Sequence, residues 1–218
     1  MAHEFLYDGK LPEWIANTPD LQEAMRLAGG GRPEYLTSLY RYCTMLPDHA
    51  TVVEVGCNLG ESSIVMAHAL KHKLGRIITI DPVFITGTLD SPDSLSPTGN
   101  NIYNSTLVEY GNKLRVNRIE PYVTVIPDYS ANAIARWDGY PIDMLFVDGE
   151  HTYKAVSQDC EWMRYVKVGG FAVFDDYWAE IVDAVQDYLS RHSGWRMVRE
   201  PISGYQNNQF APVFQKIS

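Results

Sequence analysis

The sequence is poor in the features that mark secreted, membrane-spanning and disulfide-bonded proteins. Its 218 residues include only three cysteines, Cys43, Cys57 and Cys160, and no Cys-x-x-Cys pair. This argues against a disulfide framework or a zinc site and fits a reduced compartment. No apolar run is long enough to span a bilayer, and the N-terminus lacks the basic and apolar regions of a secretory signal. We therefore expect a cytoplasmic protein without a membrane partner.

Basic residues are also few, since 18 Lys and Arg stand against 27 Asp and Glu, a formal net charge of -9. Nonspecific binding to nucleic acid needs a basic face, so we expect no nucleic-acid partner. The length suits one domain, and neither a repeat nor a linker interrupts it. We expect a single domain over residues 1–218, with residues 1–48 as an N-terminal helical extension. Aromatic residues in that extension (Phe5, Tyr7 and Trp14) hint at a homodimer contact.

Apolar runs rich in β-branched residues alternate with helical patterns along most of the chain. This alternation predicts an α/β fold, a Rossmann-like doubly wound and mostly parallel sheet of about seven strands. The end of the chain lacks the intervening helix, which predicts an antiparallel C-terminal strand pair. The predicted strands are Thr51–Val55, Arg76–Ile80, Tyr122–Ile126, Ile142–Val147, Phe171–Phe174, Trp195–Arg199 and Pro212–Lys216. The predicted helices are Leu21–Ala28, Pro33–Leu46, Ser62–His72, Tyr103–Arg115, Ala131–Arg136, Tyr153–Tyr165 and Ala179–His192.

One long segment fits no element. Pro82–Asn101 is rich in Pro, Ser, Thr, Gly and Asp, and it leaves the end of the second predicted strand. Long loops within compact domains often serve function. A lid or substrate-recognition loop and an insertion without a role both remain open.

Carboxylates follow two of the predicted strands. Asp175-Asp176 ends one apolar run, and Asp148-Gly149-Glu150-His151 follows another. Because the carboxyl ends of parallel strands share one edge, we expect these side chains to converge. Hard oxygen ligands beside an imidazole predict a Mg²⁺-assisted site for deprotonating a hydroxyl. Two plainer readings stay open: the aspartates as a helix N-cap, and His151 as a solvated loop residue.

A glycine turn joins the first predicted strand to the next helix in the pattern Glu54-x-Gly56-x-x-x-Gly60, with Ser62 at the helix start. Hydroxyl and N–H groups there can hold a carboxylate. Asp81 ends the second strand, where an acidic residue can accept both hydroxyls of a ribose. A dinucleotide-binding turn would carry glycine at Asn58. The acidic Glu54 suits a cationic sulfonium better than a pyrophosphate.

With these residues the chain resembles the class I S-adenosylmethionine-dependent methyltransferases. Within that class it is similar to the macrocin-type sugar O-methyltransferases and, more distantly, to catechol O-methyltransferase. The resemblance covers about Thr51 to Leu189. Beyond the glycine turn and Asp81, the matching residues are Asp148-Gly149-Glu150-His151-Thr152-Tyr153, Asp159, Gly169-Gly170 and Asp175-Asp176.

The resemblance implies a role for each matching position. Glu54, Gly56 and Gly60 would line the methionine end of the cofactor, Ser62 would hold its carboxylate, Asp81 its ribose, and Asp128 and Ser130 its adenine. Cys57 and Asn58, within the glycine turn, would also bind the cofactor. Asp148, which also borders the cofactor, would bind Mg²⁺ together with Asp175 and Asp176. His151 would be the general base, acting with Asp148.

The implied reaction is methyl transfer from S-adenosylmethionine to a hydroxyl of a small-molecule or sugar acceptor. Two alternatives share the fold. One is a protein that only binds S-adenosylmethionine, and the other is a hydroxylase-related enzyme without methyl transfer.

Overall fold

The computed structural model describes residues 19–28, 33–82, 102–177, 179–199 and 212–218. The helices are α1 (Pro19–Ala28), α2 (Pro33–Met45), α3 (Glu61–Leu70), α4 (Ile102–Val116), α5 (Ser130–Ala135), α6 (Tyr153–Asp159) and α7 (Ala179–Arg191). The strands are β1 (Thr51–Val55), β2 (Arg76–Ile80), β3 (Val123–Ile126), β4 (Ile142–Val147), β5 (Val166–Phe174), β6 (Trp195–Arg199) and β7 (Val213–Lys216). Within these ranges, short 3₁₀ turns cover Lys71–Lys73, Glu120–Tyr122 and Cys160–Tyr165.

The strands form one seven-stranded sheet in the order β3-β2-β1-β4-β5-β7-β6. Strands β1 to β5 are parallel, and β7 runs antiparallel to both β5 and β6. This confirms the predicted sheet and its C-terminal antiparallel pair. The strand order reverses between β1 and β4, which is where open α/β sheets bind their ligands.

Apolar residues on both faces of each central strand explain the layered core. Successive side chains of a strand point to opposite faces. Val52 therefore packs into the cluster formed with α1, α2, α3 and α4, whereas Val53 packs into the cluster formed with α5, α6 and α7. Met144 and Leu145 of β4 divide between the two clusters in the same way. The sheet is thus covered by helices on both faces.

Helices α1 and α2 pack against α3 on one face of the sheet. Leu21 and Ala24 of α1, with Leu36 and Leu39 of α2, are fully buried there. The two predicted N-terminal helices are therefore present and share the core of the sheet. Their position brings α2 close to the carboxyl edge of β4.

The fifth strand begins five residues before its predicted start, because Gly169-Gly170 lies within it rather than before it. Gly170 is needed inside the strand, since a Cβ there would lie 2.6 Å from the carbonyl oxygen of Asp143. The predicted helix 153–165 is also divided into α6 and the 3₁₀ turn Cys160–Tyr165. Such turns are frequent where helices end.

Several predicted features lie outside the described residues. They are the polar loop from residue 83 to 101 and the aromatic residues Phe5, Tyr7 and Trp14. Their proposed roles, as a lid and as a dimer contact, stay predictions. Among the residues with described structure, none of the helices combines the length and apolarity needed to cross a membrane.

Candidate active site

The residue after each of four parallel strands continues the hydrogen bonding of the sheet. Gly56 N–H donates to Ile80 O (2.9 Å), Asp81 to Ile126 O (3.2 Å), Asp148 to Val55 O (2.8 Å) and Asp175 to Val147 O (2.9 Å). These bonds fix the four residues in register at one edge. The structure therefore brings the predicted glycine turn and the predicted carboxylates together.

The two glycines of the turn lie where no larger residue would fit. Both have φ +82°, in the left-handed region that favours glycine. A Cβ at Gly56 would lie 2.1 Å from the carbonyl oxygen of Asp148, and one at Gly60 would lie 2.3 Å from the ring of Tyr110. The turn therefore passes tightly between the end of β4 and helix α4.

Asp81 is bound to the glycine turn. Its Oδ2 accepts hydrogen bonds from the backbone N–H groups of Cys57 and Asn58, both at 2.9 Å. Cys57 thus contributes its backbone to the site, while burial raises the pKa of its thiol far above the ordinary range. The two bonds hold the Asp81 carboxylate against the pocket that it lines.

Glu54 lies beneath the turn and is fully buried. The hydroxyls of Ser62 and Ser63 donate to its two carboxylate oxygens, the Ser63 bond being 2.5 Å long. Burial raises the pKa of Glu54 to about 8, although the serine hydroxyls oppose the shift. Because the Ser62 hydroxyl is directed to Glu54, a cofactor carboxylate would instead meet the N–H groups in the first turn of α3.

His151 lies between two of the predicted metal ligands. Its Nε2 is 3.6 Å from Oδ1 of Asp148, and its Nδ1 is 3.7 Å from Oδ2 of Asp176. The carboxylate of Asp148, helped by Asp176, raises the pKa of His151 above its ordinary value of 6.5. Within the described part of the chain, Nε2 is buried without a hydrogen-bond partner. Asp176 has φ +46°, a left-handed conformation that aspartate tolerates better than most residues.

Tyr35 is a site residue that the sequence does not reveal. It lies on α2, where no motif marks it, and its hydroxyl donates to Oδ2 of Asp148 at 3.3 Å. Its ring packs 5.5 Å from that of Phe146 in β4. Burial, with the charges of Asp148 and Asp175, raises the pKa of Tyr35 well above its ordinary range, so the hydroxyl stays protonated and donates.

The predicted magnesium site requires Asp148, Asp175 and Asp176 to converge on one point. Across the ranges that the structure describes, no group of three His, Cys, Asp or Glu side chains could hold a metal ion. Asp148 and Asp176 instead face opposite nitrogens of His151. The oxygen donors suit Mg²⁺ chemically, but this arrangement does not fit the ion. We derive no step through a metal.

A pocket of about 260 Å³ continues from the glycine turn across the edge of the sheet. Its lining includes Gly56, Asp81, Ser130, Gly149 and Asp159. Ser130 lines this pocket, and its adenine contact, which the resemblance implies, stays a prediction.

Asp128 is directed toward its own helix. Its carboxylate accepts hydrogen bonds from the Tyr129 N–H (2.7 Å) and the Asn132 side chain (2.9 Å), and it pairs with Arg136. The contacts with Asn132 and Arg136 lower the pKa of Asp128. The Asp128 carboxylate is thus engaged by Tyr129, Asn132 and Arg136, and its predicted adenine contact stays a prediction.

The chain belongs to a methyltransferase family. Residues 53–177, more than half of its length, match the family described as "Methyltransferase domain". A protein of Acanthamoeba polyphaga mimivirus, described as uncharacterized protein R132, is 28% identical over 170 residues. That match covers 78% of this chain and 66% of the viral protein.

Solved methyltransferase structures share the fold. The O-methyltransferase TomG of Streptomyces achromogenes, in complex with S-adenosylmethionine, has a TM-score of 0.63 at 15% identity, covering 100% of both chains. The Bacillus cereus O-methyltransferase, in complex with S-adenosylhomocysteine, has a TM-score of 0.60 at 13% identity, covering 94% of this chain and 96% of that one. An rRNA methylase of Streptococcus thermophilus has a TM-score of 0.56 at 16% identity, covering 82% of this chain and 94% of that one. At these identities the likeness shows the fold, a class I methyltransferase fold.

Proposed function

We propose that this chain transfers the methyl group of S-adenosylmethionine to a hydroxyl oxygen of a small-molecule or sugar acceptor. The observation that carries the proposal is the half-buried imidazole of His151, whose Nε2 makes no hydrogen bond within the described residues and lies 3.6 Å from Oδ1 of Asp148, at the same edge as the glycine turn. A base beside a methyl-donor pocket supports transfer to a group that must lose a proton.

The glycine turn and Asp81 support the cofactor half of the proposal. The first turn of α3 offers N–H groups to the methionine carboxylate. Asp81, fixed by two backbone N–H groups, offers a carboxylate to the ribose hydroxyls. The pocket beyond Asp81 offers space for the adenine of the cofactor. TomG and the Bacillus cereus enzyme, which share this fold, were solved with S-adenosylmethionine and S-adenosylhomocysteine respectively.

Methyl transfer to a hydroxyl requires that donor and acceptor be aligned and that a proton acceptor be present. The sulfonium methyl is already activated, so the protein mainly holds donor and acceptor in line. An aliphatic hydroxyl is a poor nucleophile until its proton is removed. His151 accepts that proton in the proposed reaction, and Asp148 and Asp176 stabilise the imidazolium that forms. General-base assistance of this kind is worth about 10²–10⁴ in rate.

We propose the acceptor class from the charge of the chain. The formal net charge of -9 disfavours a polyanionic substrate such as RNA, although the fold also occurs in an rRNA methylase. A neutral hydroxyl compound carries no such penalty. A cytoplasmic setting and the absence of nucleic-acid and membrane partners are part of this proposal.

Divalent-metal assistance is not part of the proposal, because in the present arrangement His151 lies between Asp148 and Asp176. The three aspartates could close on an ion only if His151 left its position between Asp148 and Asp176. The Mg²⁺ predicted from the sequence therefore remains to be tested by chelation.

The reaction is tested by incubating the chain with methyl-labelled S-adenosylmethionine and a panel of sugars, phenols and aliphatic alcohols. We expect labelled product and S-adenosylhomocysteine with at least one acceptor class, and a loss of turnover in His151→Ala. His72→Ala, a change at an exposed histidine of the 3₁₀ turn after α3, is the matched control. Cofactor binding without transfer to any acceptor would favour one of the two alternatives, a protein that only binds S-adenosylmethionine or a hydroxylase-related enzyme.

A further inference from the structure

His151 lies on the short loop that joins β4 to α6, and some of the contacts that hold this loop come from another helix. The N-cap of α6 is Thr152, whose hydroxyl accepts a hydrogen bond from the Ala155 N–H at 3.3 Å. The first N–H of the helix, that of Tyr153, donates at 2.8 Å to Oε2 of Glu180. Glu180 lies in the first turn of α7, so the loop that bears His151 is tied to the helix that follows β5.

A second hydrogen bond joins the same two helices. The Tyr153 hydroxyl donates at 2.5 Å to Oδ2 of Asp187, which lies about two turns beyond Glu180 along α7. Helices α6 and α7 also pack against each other, and Val156 and Ile181 share one buried cluster. Tyr153 is therefore held by α7 through both its backbone and its side chain.

The bond to Glu180 engages a group that an α-helix leaves free. The first N–H groups of a helix have no partner within it, and a carboxylate beside them also interacts favourably with the helix dipole. Glu180 therefore stabilises the start of α6, which is its plainer role. None of the proposed chemical steps uses Glu180, Tyr153 or Asp187.

The relation of α7 to the imidazole points to a second role for Glu180. Asp176, four positions before Glu180 in the sequence, has its Oδ2 3.7 Å from Nδ1 of His151. The residue that Glu180 binds, Tyr153, comes two positions after His151. The bond therefore links the loop of the imidazole to the segment that carries its partner carboxylate, and it restricts the separation of the two.

We propose that Glu180 is a positioning residue for methyl transfer, because it ties the loop of His151 to α7 through the Tyr153 N–H. The imidazole is thereby kept beside Asp176, and Asp187 supports the same loop through the Tyr153 hydroxyl. A displacement of about 1 Å in a reacting group can cost about 10²-fold in rate, so turnover responds to this contact even where the fold does not. This inference rests on the proposed function, in which His151 is the general base.

Variants of Glu180 test this role in the full chain, with methyl-labelled S-adenosylmethionine and the best acceptor from the panel of sugars, phenols and aliphatic alcohols. We expect Glu180→Ala to lower kcat by roughly tenfold, with less than about a twofold change in KM for S-adenosylmethionine. Glu180→Gln should keep most of the rate, since its amide oxygen still accepts from the Tyr153 N–H. Asp183→Ala, at an exposed aspartate about one turn further along α7, is the matched control and should keep the wild-type rate.

A double-mutant cycle separates positioning of the base from stabilisation of α6 alone. If Glu180 acts through His151, Glu180→Ala should change the residual rate of His151→Ala by less than about twofold. A role confined to stability would lower the rate by the same factor in both backgrounds. Tyr153→Phe, which removes only the bond to Asp187, should show the same dependence on His151 with a smaller loss of kcat. Thermal melts report which variants are folded.

NMR of the histidine rings supplies a readout that does not require turnover. The signal of His151, assigned from its loss in His151→Ala, should shift in Glu180→Ala and stay unchanged in Asp183→Ala. An unchanged signal in a folded Glu180→Ala variant, or an equal loss of kcat in both backgrounds, overturns the positioning role and leaves the proposed function standing. A wild type that transfers no methyl group to any acceptor contradicts the proposed function and, with it, this inference.

Discussion

The hydroxyl of Tyr35 donates a 3.3 Å hydrogen bond to Oδ2 of Asp148, joining residues 113 positions apart in the sequence. The other oxygen of the same carboxylate, Oδ1, lies 3.6 Å from Nε2 of His151. Helix α2 thus helps to hold the group that faces the proposed base. The N-terminal helices take part in the site as well as in the core.

Removing the Tyr35 hydroxyl should impair turnover more than cofactor binding. We expect Tyr35→Phe to lower kcat by roughly tenfold, because a hydrogen bond to a charged group is worth about 1.5–3 kcal/mol and Asp148 would lose its orientation. The Kd for S-adenosylmethionine should change by less than about twofold. Tyr40→Phe, on the same helix, is the control, and an equal loss of kcat there would show that the effect is only structural.

The pH profile of methyl transfer should report the His151 imidazole. The base must be neutral to accept a proton, and Asp148 and Asp176 raise its pKa above 6.5. We therefore expect kcat to rise with pH through a midpoint above 6.5 in the wild type. His151→Ala should lower kcat by about 10²–10⁴-fold and abolish this rise of kcat with pH. If His151→Ala kept both the wild-type rate and its rise with pH, His151 would not be the general base.

Stability of the cofactor-free chain should fall as pH rises from about 5 to 8. The pKa of Glu54 is raised from 4.5 to about 8 in the fold, so between these values the folded state binds more protons than the unfolded state. The stabilisation is complete below the unfolded pKa and is lost as pH passes the folded pKa. Asp159, with a pKa raised from 3.8 to about 7, acts in the same direction.

Thermal melts across this range test the assignment to Glu54. In the wild type we expect Tm to fall by roughly 5 °C between pH 5 and pH 8. In Glu54→Gln we expect a smaller fall, because only the contribution of Asp159 remains. Glu61→Gln, at an exposed residue that begins α3, should leave the curve unchanged. Identical curves for wild type and Glu54→Gln would contradict the raised pKa.

Chelation distinguishes the arrangement in the structure, with His151 between two aspartates, from the magnesium site that the sequence predicts. With His151 between Asp148 and Asp176, we expect EDTA to change the rate of methyl transfer by less than about twofold, because the imidazole occupies the space between the two carboxylates that a metal ion would need. A loss of about tenfold or more, restored by Mg²⁺ and absent in Asp175→Ala, would show that the carboxylates close on a metal.

Much of the fold could be predicted because its signals are local. Continuous apolar runs predicted β1 to β4 within one residue of their bounds, and the missing helix near the end predicted the antiparallel pair. The start of β5 was missed because Gly169-Gly170 is typical of a turn. The close approach of the Asp143 carbonyl explains why a glycine is required within that strand.

The site was predictable only where its residues follow strands. Asp81, Asp148 and Asp175 share an edge because parallel strands end together, a relationship that the sequence pattern contains. Tyr35 meets Asp148 through helix packing, and no local pattern encodes that contact. His151 lies between two carboxylates, and one of them, Asp176, has a left-handed backbone that the sequence pattern does not reveal.

Calorimetric titration of S-adenosylmethionine tests the central claim most directly. We predict micromolar binding to the wild type and to Asp138→Ala, a change at an exposed loop aspartate, and binding at least about tenfold weaker in Asp81→Ala. No binding to the wild type, or equal binding to Asp81→Ala, would contradict the assignment of this edge as a methyl-donor site.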